Sequence, residues 1–336
     1  MRAQVLLVMG LLYFVWGSTY LAIRVTVETL QPLVAAGVRF LIAGALTLAV
    51  LAALGRLGER PTREQLRGSA IVGVWLLCGG VGPVTITENH APSNLTAVLA
   101  STTSLWVIGY RALAGERLGR GSIAGAVLGL VGVVVLFSPG GSGIQNPWLL
   151  LAIVCSLFWS TGSFYGRRLT QIPDPFVGAV VQMFTAGTLM TVAAVLLDGT
   201  DALDLSAASG RSLLALTYLI VAGGITFSAY VWALQHLPIS TVVSHQYVNP
   251  AVAVVLGAVF LDETLGLSAV IGAALVIAAR VRDRAQRVVP GADGRGARVR
   301  LSRRQAKSGR TMRRPTIRLS IAAVTPRVPA IRNAGS

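Results

Sequence analysis

The residues able to do chemistry in this 336-residue chain sit where water is scarce. Trp16, Thr19, Tyr20, Arg39, Glu88 and Trp159 fall within or at the edge of long apolar runs, as do His245, Gln246, Tyr247 and Asn249. An ionisable group inside such a run costs about 2.5–3.5 kcal/mol on membrane-insertion scales, so it turns toward protein or water. Arg39 stands about seven residues into its run, roughly 10 Å along a helix. A guanidinium there has three uses: it snorkels to the nearer interface, pairs with Glu28 or Glu88, or captures an anionic group of a solute. Glu88 closes the segment Thr85-Ile86-Thr87-Glu88-Asn89-His90. It is either an ordinary acid at a loop edge or a proton carrier, because a desolvated carboxylate takes a proton more readily than it keeps a bare charge.

His245 and Gln246 precede Tyr247-Val248-Asn249-Pro250. Proline frees an upstream carbonyl, and Asn249 offers both a donor and an acceptor. Such a break is tolerated at membrane depth where backbone lines a cavity, so the segment is either a substrate contact or a structural kink. Trp16, Ser18, Thr19 and Tyr20 have Trp159, Thr161, Ser163 and Tyr165 at equivalent or nearby positions of the second half. Aromatics near span ends anchor at interfaces; beside small hydroxyl residues they also suit a cavity wall where helices approach closely.

No bond-making chemistry is legible. Cys78 and Cys155 read as small buried hydrophobes, with no CxxC pair and no disulfide framework. His245 lacks companions for a metal site, because His90 and His236 fall at opposite membrane edges. The single lysine, Lys307, excludes a Walker A phosphate loop, and no HExxH or GxSxG motif occurs. The expectation is a protein that is not an enzyme and uses no cofactor and no metal. The competing reading, an integral-membrane enzyme acting on a lipid or apolar substrate, needs a cluster of acids or histidines at one face.

The elements that position these residues are membrane spans. The chain is 54% hydrophobic and only 12% charged, half the charged share usual in soluble domains. Ten runs approach the roughly 20 residues that cross a bilayer as a helix. They lie at 3–23, 32–54, 68–88, 93–114, 122–138, 147–166, 175–197, 212–233, 239–260 and 266–281. The first has no small-residue cleavage pattern and reads as an uncleaved span rather than a signal peptide. Connections 55–67, 115–121 and 167–174 carry eight arginines, whereas those at 24–31, 89–92, 139–146, 198–211 and 261–265 carry only Arg24 and Arg211. The positive-inside rule then puts both termini in the cytoplasm.

The chain also repeats itself. Trp16-Gly17-Ser18-Thr19 recurs as Trp159-Ser160-Thr161-Gly162, 143 positions on. The same step aligns Val38-Arg39-Phe40 with Val181-Gln182-Met183, and Ala43-Gly44 with Ala186-Gly187. Five spans per half is an odd number, so the second half enters the membrane in the opposite sense. Inverted-topology repeats of this kind place a substrate site near the bilayer midplane, between the halves.

Phe14-Val15-Trp16-Gly17-Ser18-Thr19-Tyr20 resembles the opening of an EamA domain, of the drug/metabolite transporter superfamily. Ala36-Gly37-Val38-Arg39-Phe40, Gly115-Glu116-Arg117-Leu118 and Tyr247-Val248-Asn249-Pro250-Ala251 resemble its later signatures in order. The resemblance implies ten transmembrane helices as two inverted five-helix repeats, residues 1–138 and 139–281, around a central cavity. It also implies substrates such as amino acids, metabolites or drugs. One departure is Ser104, which stands where the family often has proline in the fourth span and predicts that a proline kink is missing there.

Residues 282–336 hold no Phe, Trp or Tyr and are rich in arginine, which predicts a basic disordered tail. Without stacking aromatics it reads as a segment drawn to anionic lipid rather than nucleic acid. The expectation is therefore an all-α, multi-pass inner-membrane carrier of a small organic solute, working by alternating access. The expected direction is outward, with the proton gradient as the drive. The assigned substrate contacts are Trp16, Thr19, Tyr20, Arg39, Trp159, His245, Gln246, Tyr247 and Asn249, with Glu88 carrying the proton.

Overall fold

The computed structural model of the protein describes residues 2–116 and 146–261, together with positions 119, 127 and 131. Every element among these residues is helical. Among the described residues, seven helices are long and apolar enough to cross a membrane: α1 (Ala3–Thr26), α2 (Pro32–Ala53), α3 (Arg63–His90), α6 (Leu149–Arg168), α7 (Pro175–Asp198), α8 (Gly210–His236) and α9 (Ile239–Phe260). The run expected at 93–114 forms two shorter helices, α4 (Ser93–Ala100) and α5 (Thr103–Leu113). The spans expected at 122–138 and 266–281, and the tail 282–336, lie outside the described residues.

Local chemistry sets the helix starts. Gln31 accepts from the Val34 N–H, and Asp174 accepts from the Phe176 and Val177 N–H groups, each just before a proline at the first helical position. The two caps stand 143 positions apart, so the second helix of each half begins in the same way. Helix α3 begins five residues before the expected 68. Thr62 and Gln65 form a reciprocal capping box that draws Arg63, Glu64 and Arg67 into the helix.

The fourth span, expected as a single run at 93–114, is interrupted although Ser104 supplies no proline. Ser101 and Thr102 donate their hydroxyls to the Val98 and Leu99 carbonyls at 2.6 and 2.7 Å, and Thr103 and Ser104 repeat the pattern one step on. Four consecutive hydroxyls bonding backward compete with the helical ladder and bend it.

Contacts between helix ends define two faces. On one, Arg24 at the end of α1 donates to the Glu88 carbonyl at the end of α3. On the same face, His90 stacks on Trp148 just before α6. On the other, Arg56 pairs with Asp174 and Thr170 donates to Glu64. Helix α1 therefore ends on the face where α6 begins, and the two run in opposite senses. The second face carries Arg56, Arg60, Arg63, Arg67, Arg167 and Arg168, and is called the arginine face below.

Helices α2 and α7 cross in close contact. A Cβ on Gly37 would lie 2.2 Å from Thr191 Oγ1, and one on Gly187 would lie 2.9 Å from the Gly37 carbonyl. Small residues substitute for a hydrophobic driving force when lipid is the solvent. Outward-facing positions such as Leu6, Phe14, Leu189, Leu196, Ile225 and Val259 are exposed apolar side chains, suited to contact with lipid.

Candidate functional site

A cavity of about 80 Å³ lies among α1, α2, α3, α6, α8 and α9, with a wall from α4 and α5. Its position follows from irregular turns. Helix α1 has a π-helical turn at Leu11–Val15, immediately before Trp16. Helices α3 and α8 carry π-helical segments at Val74–Val81 and Leu219–Gly223, which bring Leu77, Gly80 and Gly223 to the wall. Such turns displace side chains from the regular helical register and cluster at functional positions.

The floor is an aromatic box. Trp16 from α1 meets Trp159 from α6 edge-on, at a centroid separation of 5.2 Å. Tyr230 from α8 lies 4.8 Å from Trp16 and 5.2 Å from Trp159. The His245 ring lies 4.9 Å from Trp16, with Nδ1 against the Val242 carbonyl. Tyr230 is fully buried and shares a 2.6 Å hydrogen bond with Ser163. Sequence reasoning missed Tyr230; its signal was a tyrosine within an apolar span, three residues after Phe227.

Arg39 lies on the cavity wall and is buried to 8% exposure instead of snorkelling to the surface. Its guanidinium lies 4.4 Å from the Phe40 ring centroid. Neither Nε nor Nη1 has a hydrogen-bond partner, and Arg39 makes no ion pair among the described residues. Gln246, also on the wall, leaves its buried Oε1 without a partner. A donor fork and a bare carbonyl thus face one small space.

Thr19 and Tyr20 complete the α1 side of the wall. Thr19 spends its hydroxyl proton on the Trp16 carbonyl. Asn249 lines the cavity too; with Nδ2 turned inward it donates to the Leu12, Tyr13 and His245 carbonyls at 3.0–3.1 Å. It thereby ties the 3₁₀ turn of α9, Val243–Tyr247, to the π turn of α1. The Tyr247 side chain lies outside what is described. Glu88 is fully buried one turn beyond the wall residue Val84, within electrostatic reach of Tyr20.

Cys155, expected as a plain buried hydrophobe, is buried but also forms part of the wall; both cysteines are free. Among the described residues, no three His, Cys, Asp or Glu side chains are grouped to hold a metal. Two further cavities flank the first. One of about 370 Å³ opens at the arginine face, and one of about 270 Å³ lies at the opposite face around Arg24, Glu28 and His90.

Seven helices long and apolar enough to span a bilayer among the described residues, with α1 and α6 running in opposite senses, define a multi-pass membrane protein. The chain belongs to the EamA-like transporter family, whose profile matches it twice, at residues 4–138 and 146–281. A relative from Escherichia coli K12, described as the uncharacterized inner membrane transporter YedA, is 37% identical over 257 residues. That alignment covers 76% of this chain and 82% of the relative. A Salmonella typhimurium protein named "Probable amino-acid metabolite efflux pump" is 24% identical, over 80% of this chain and 90% of its own length. A solved crystal structure of a protein given no fuller description shares the fold: its TM-score is 0.63 at 22% identity, covering 86% of this chain and all of that one.

Proposed function

We propose that this transporter moves a small organic solute bearing an anionic group, by secondary active transport with alternating access. The observation that carries this reading is Arg39: a buried guanidinium on the wall of a central cavity, with two nitrogens that no described residue satisfies. A buried donor without a partner is costly, and a carboxylate or similar anion arriving in the cavity offsets that cost. In this reading the contacts are Trp16, Thr19, Tyr20, Arg39, Trp159, His245, Gln246, Tyr247 and Asn249. The aromatic box takes the apolar part of the solute and Gln246 takes a donor group.

The transport is outward, as the efflux-pump name of the Salmonella relative has it, and crosses an inner membrane, as the name of the Escherichia coli relative has it, with both termini cytoplasmic. Its repeats are residues 1–138 and 139–281, and together they make ten spans. Glu88 carries the coupling proton, and the basic tail 282–336 lies on anionic lipid. Purified protein in liposomes, with an imposed pH gradient and a panel of amino acids and metabolites, tests the reading. Movement of one anionic solute that collapses with the gradient supports it. Movement confined to cations, or none by folded protein, overturns it.

A further inference from the structure

The cavity at the arginine face is related by the repeat to the other two. A step of 143 positions from Thr19, Ile23 and Arg39 on the central wall leads to Gly162, Gly166 and Gln182, which line this cavity. The same step from Arg24, Glu28, Ala91 and Pro92 at the opposite face leads to Arg167, Gln171, Leu234 and Gln235, which also line it. This vestibule thus carries repeat equivalents of residues that line both of the other cavities.

Its polar groups are incompletely used. Gln182 is 1% exposed, and its Oε1 has no partner. Its Nε2 makes only a long 3.4 Å contact with Gln171 Oε1, while the Gln171 amide donates to the Gly166 carbonyl at 2.8 Å. Arg167 stands exposed on the rim and makes no ion pair among the described residues. This combination, one guanidinium and one buried carbonyl without a partner, is the combination Arg39 and Gln246 present in the central cavity. A donor fork paired with a lone acceptor complements a molecule that has an anionic group and an N–H or O–H donor.

We propose that the vestibule between Gln182 and Arg167 is a second binding station for the transported solute, an anion that also carries a hydrogen-bond donor. The proposal rests on the reading of Arg39 as the anion site of the central cavity. The two stations differ in one respect. Arg39 is desolvated, whereas Arg167 is wet and screened, so the vestibule binds more weakly and suits loading or release at the arginine face.

The test uses the full-length protein with Cys78→Ala and Cys155→Ala, carrying Gln171→Cys on the vestibule wall. Labelling rates are measured with anionic 2-sulfonatoethyl methanethiosulfonate and cationic 2-(trimethylammonium)ethyl methanethiosulfonate, each normalised to its rate with free cysteine. A preference of about tenfold for the anion is expected, of the size that a focused surface potential produces. Adding Arg167→Gln is expected to remove it. Taurine, a sulfonate with an ammonium donor, is expected to slow labelling more than ethanesulfonate, and Gln182→Leu to erase that difference. Equal rates for both reagents, a preference that survives Arg167→Gln, equal protection by the two sulfonates, or no labelling at all overturns the proposal. Should Gln171→Cys fail to fold, Gln235→Cys on the same rim reports the same quantities. All rates are repeated with Arg39→Gln added. A raised transport KM in that background with vestibule labelling intact separates the central site from this one.

Discussion

The indoles of Trp16 and Trp159 meet edge-on, with centroids 5.2 Å apart and planes at 82°. These residues hold the same place in the two halves of the sequence, 143 positions apart. Equivalent residues of the two halves thus touch each other, and this pair lies where the halves meet. The central cavity rests on it.

Trp159→Ala removes both the Trp16 and Tyr230 contacts and leaves a void beside Gly80, whose added Cβ would lie 2.7 Å from the Trp159 ring. Loss of about 3–5 kcal/mol of stability is expected, in the range for large aromatic deletions. Thermal unfolding in detergent checks this; an unchanged transition would contradict the packing described.

Arg39→Gln keeps a hydrogen-bonding side chain but loses the charge, and Arg39→Lys keeps the charge but loses the planar fork. A hydrogen bond to a charged group is worth about 1.5–3 kcal/mol, so KM for an anionic solute should rise roughly 10- to 100-fold in Arg39→Gln, with a smaller rise in Arg39→Lys. Initial transport rates in liposomes decide it, and an unaltered KM would remove Arg39 from the site.

Glu88→Gln is expected to abolish uphill transport driven by a pH gradient while leaving exchange down the solute's own gradient intact. Folding and membrane yield should be retained, since the amide matches the acid in size. Retained pH-driven accumulation would clear Glu88 of proton coupling.

Gly37→Ala tests the α2–α7 crossing. The new Cβ would meet Thr191 Oγ1 at 2.2 Å and the backbone of Gly187 and Thr191 at 2.9 Å, so the helices must separate. Destabilisation of about 1–3 kcal/mol is expected from such overpacking. Gly10→Ala, where a Cβ meets nothing within 4 Å, is the control and should not lower the melting temperature, since alanine favours the helix over glycine.

Tyr230→Phe removes the 2.6 Å bond to Ser163 but leaves the Ser163 hydroxyl bonded to the Trp159 carbonyl. With one partner still satisfied, the cost should be about 1 kcal/mol, read as a small fall in melting temperature. A loss several times larger would show that the tyrosine hydroxyl holds more than Ser163.

Hydropathy and charge are local properties, so the apolar runs, the arginine-bearing connections and the duplicated motifs were legible residue by residue. Hydropathy alone puts α2 at 32–54, and the helix is Pro32–Ala53; it puts α9 at 239–260, and the helix is Ile239–Phe260. Where hydropathy was silent, hydrogen bonding decided. The capping box at Thr62 lengthened α3, and four successive hydroxyls broke the fourth span that lacked proline.

Packing decided the rest, because it depends on which helices face one another. Nothing in the sequence near Tyr230 says that its ring meets Trp16 from the other half, 214 positions away. Snorkelling, pairing and solute capture were all open to Arg39 as a residue in a run; the surrounding helices buried it at a cavity and left two of its nitrogens without partners among the described residues. The duplication itself could be read along the chain. That its two copies meet at Trp16 and Trp159 is a property of three-dimensional packing, in which helices far apart in sequence share one centre.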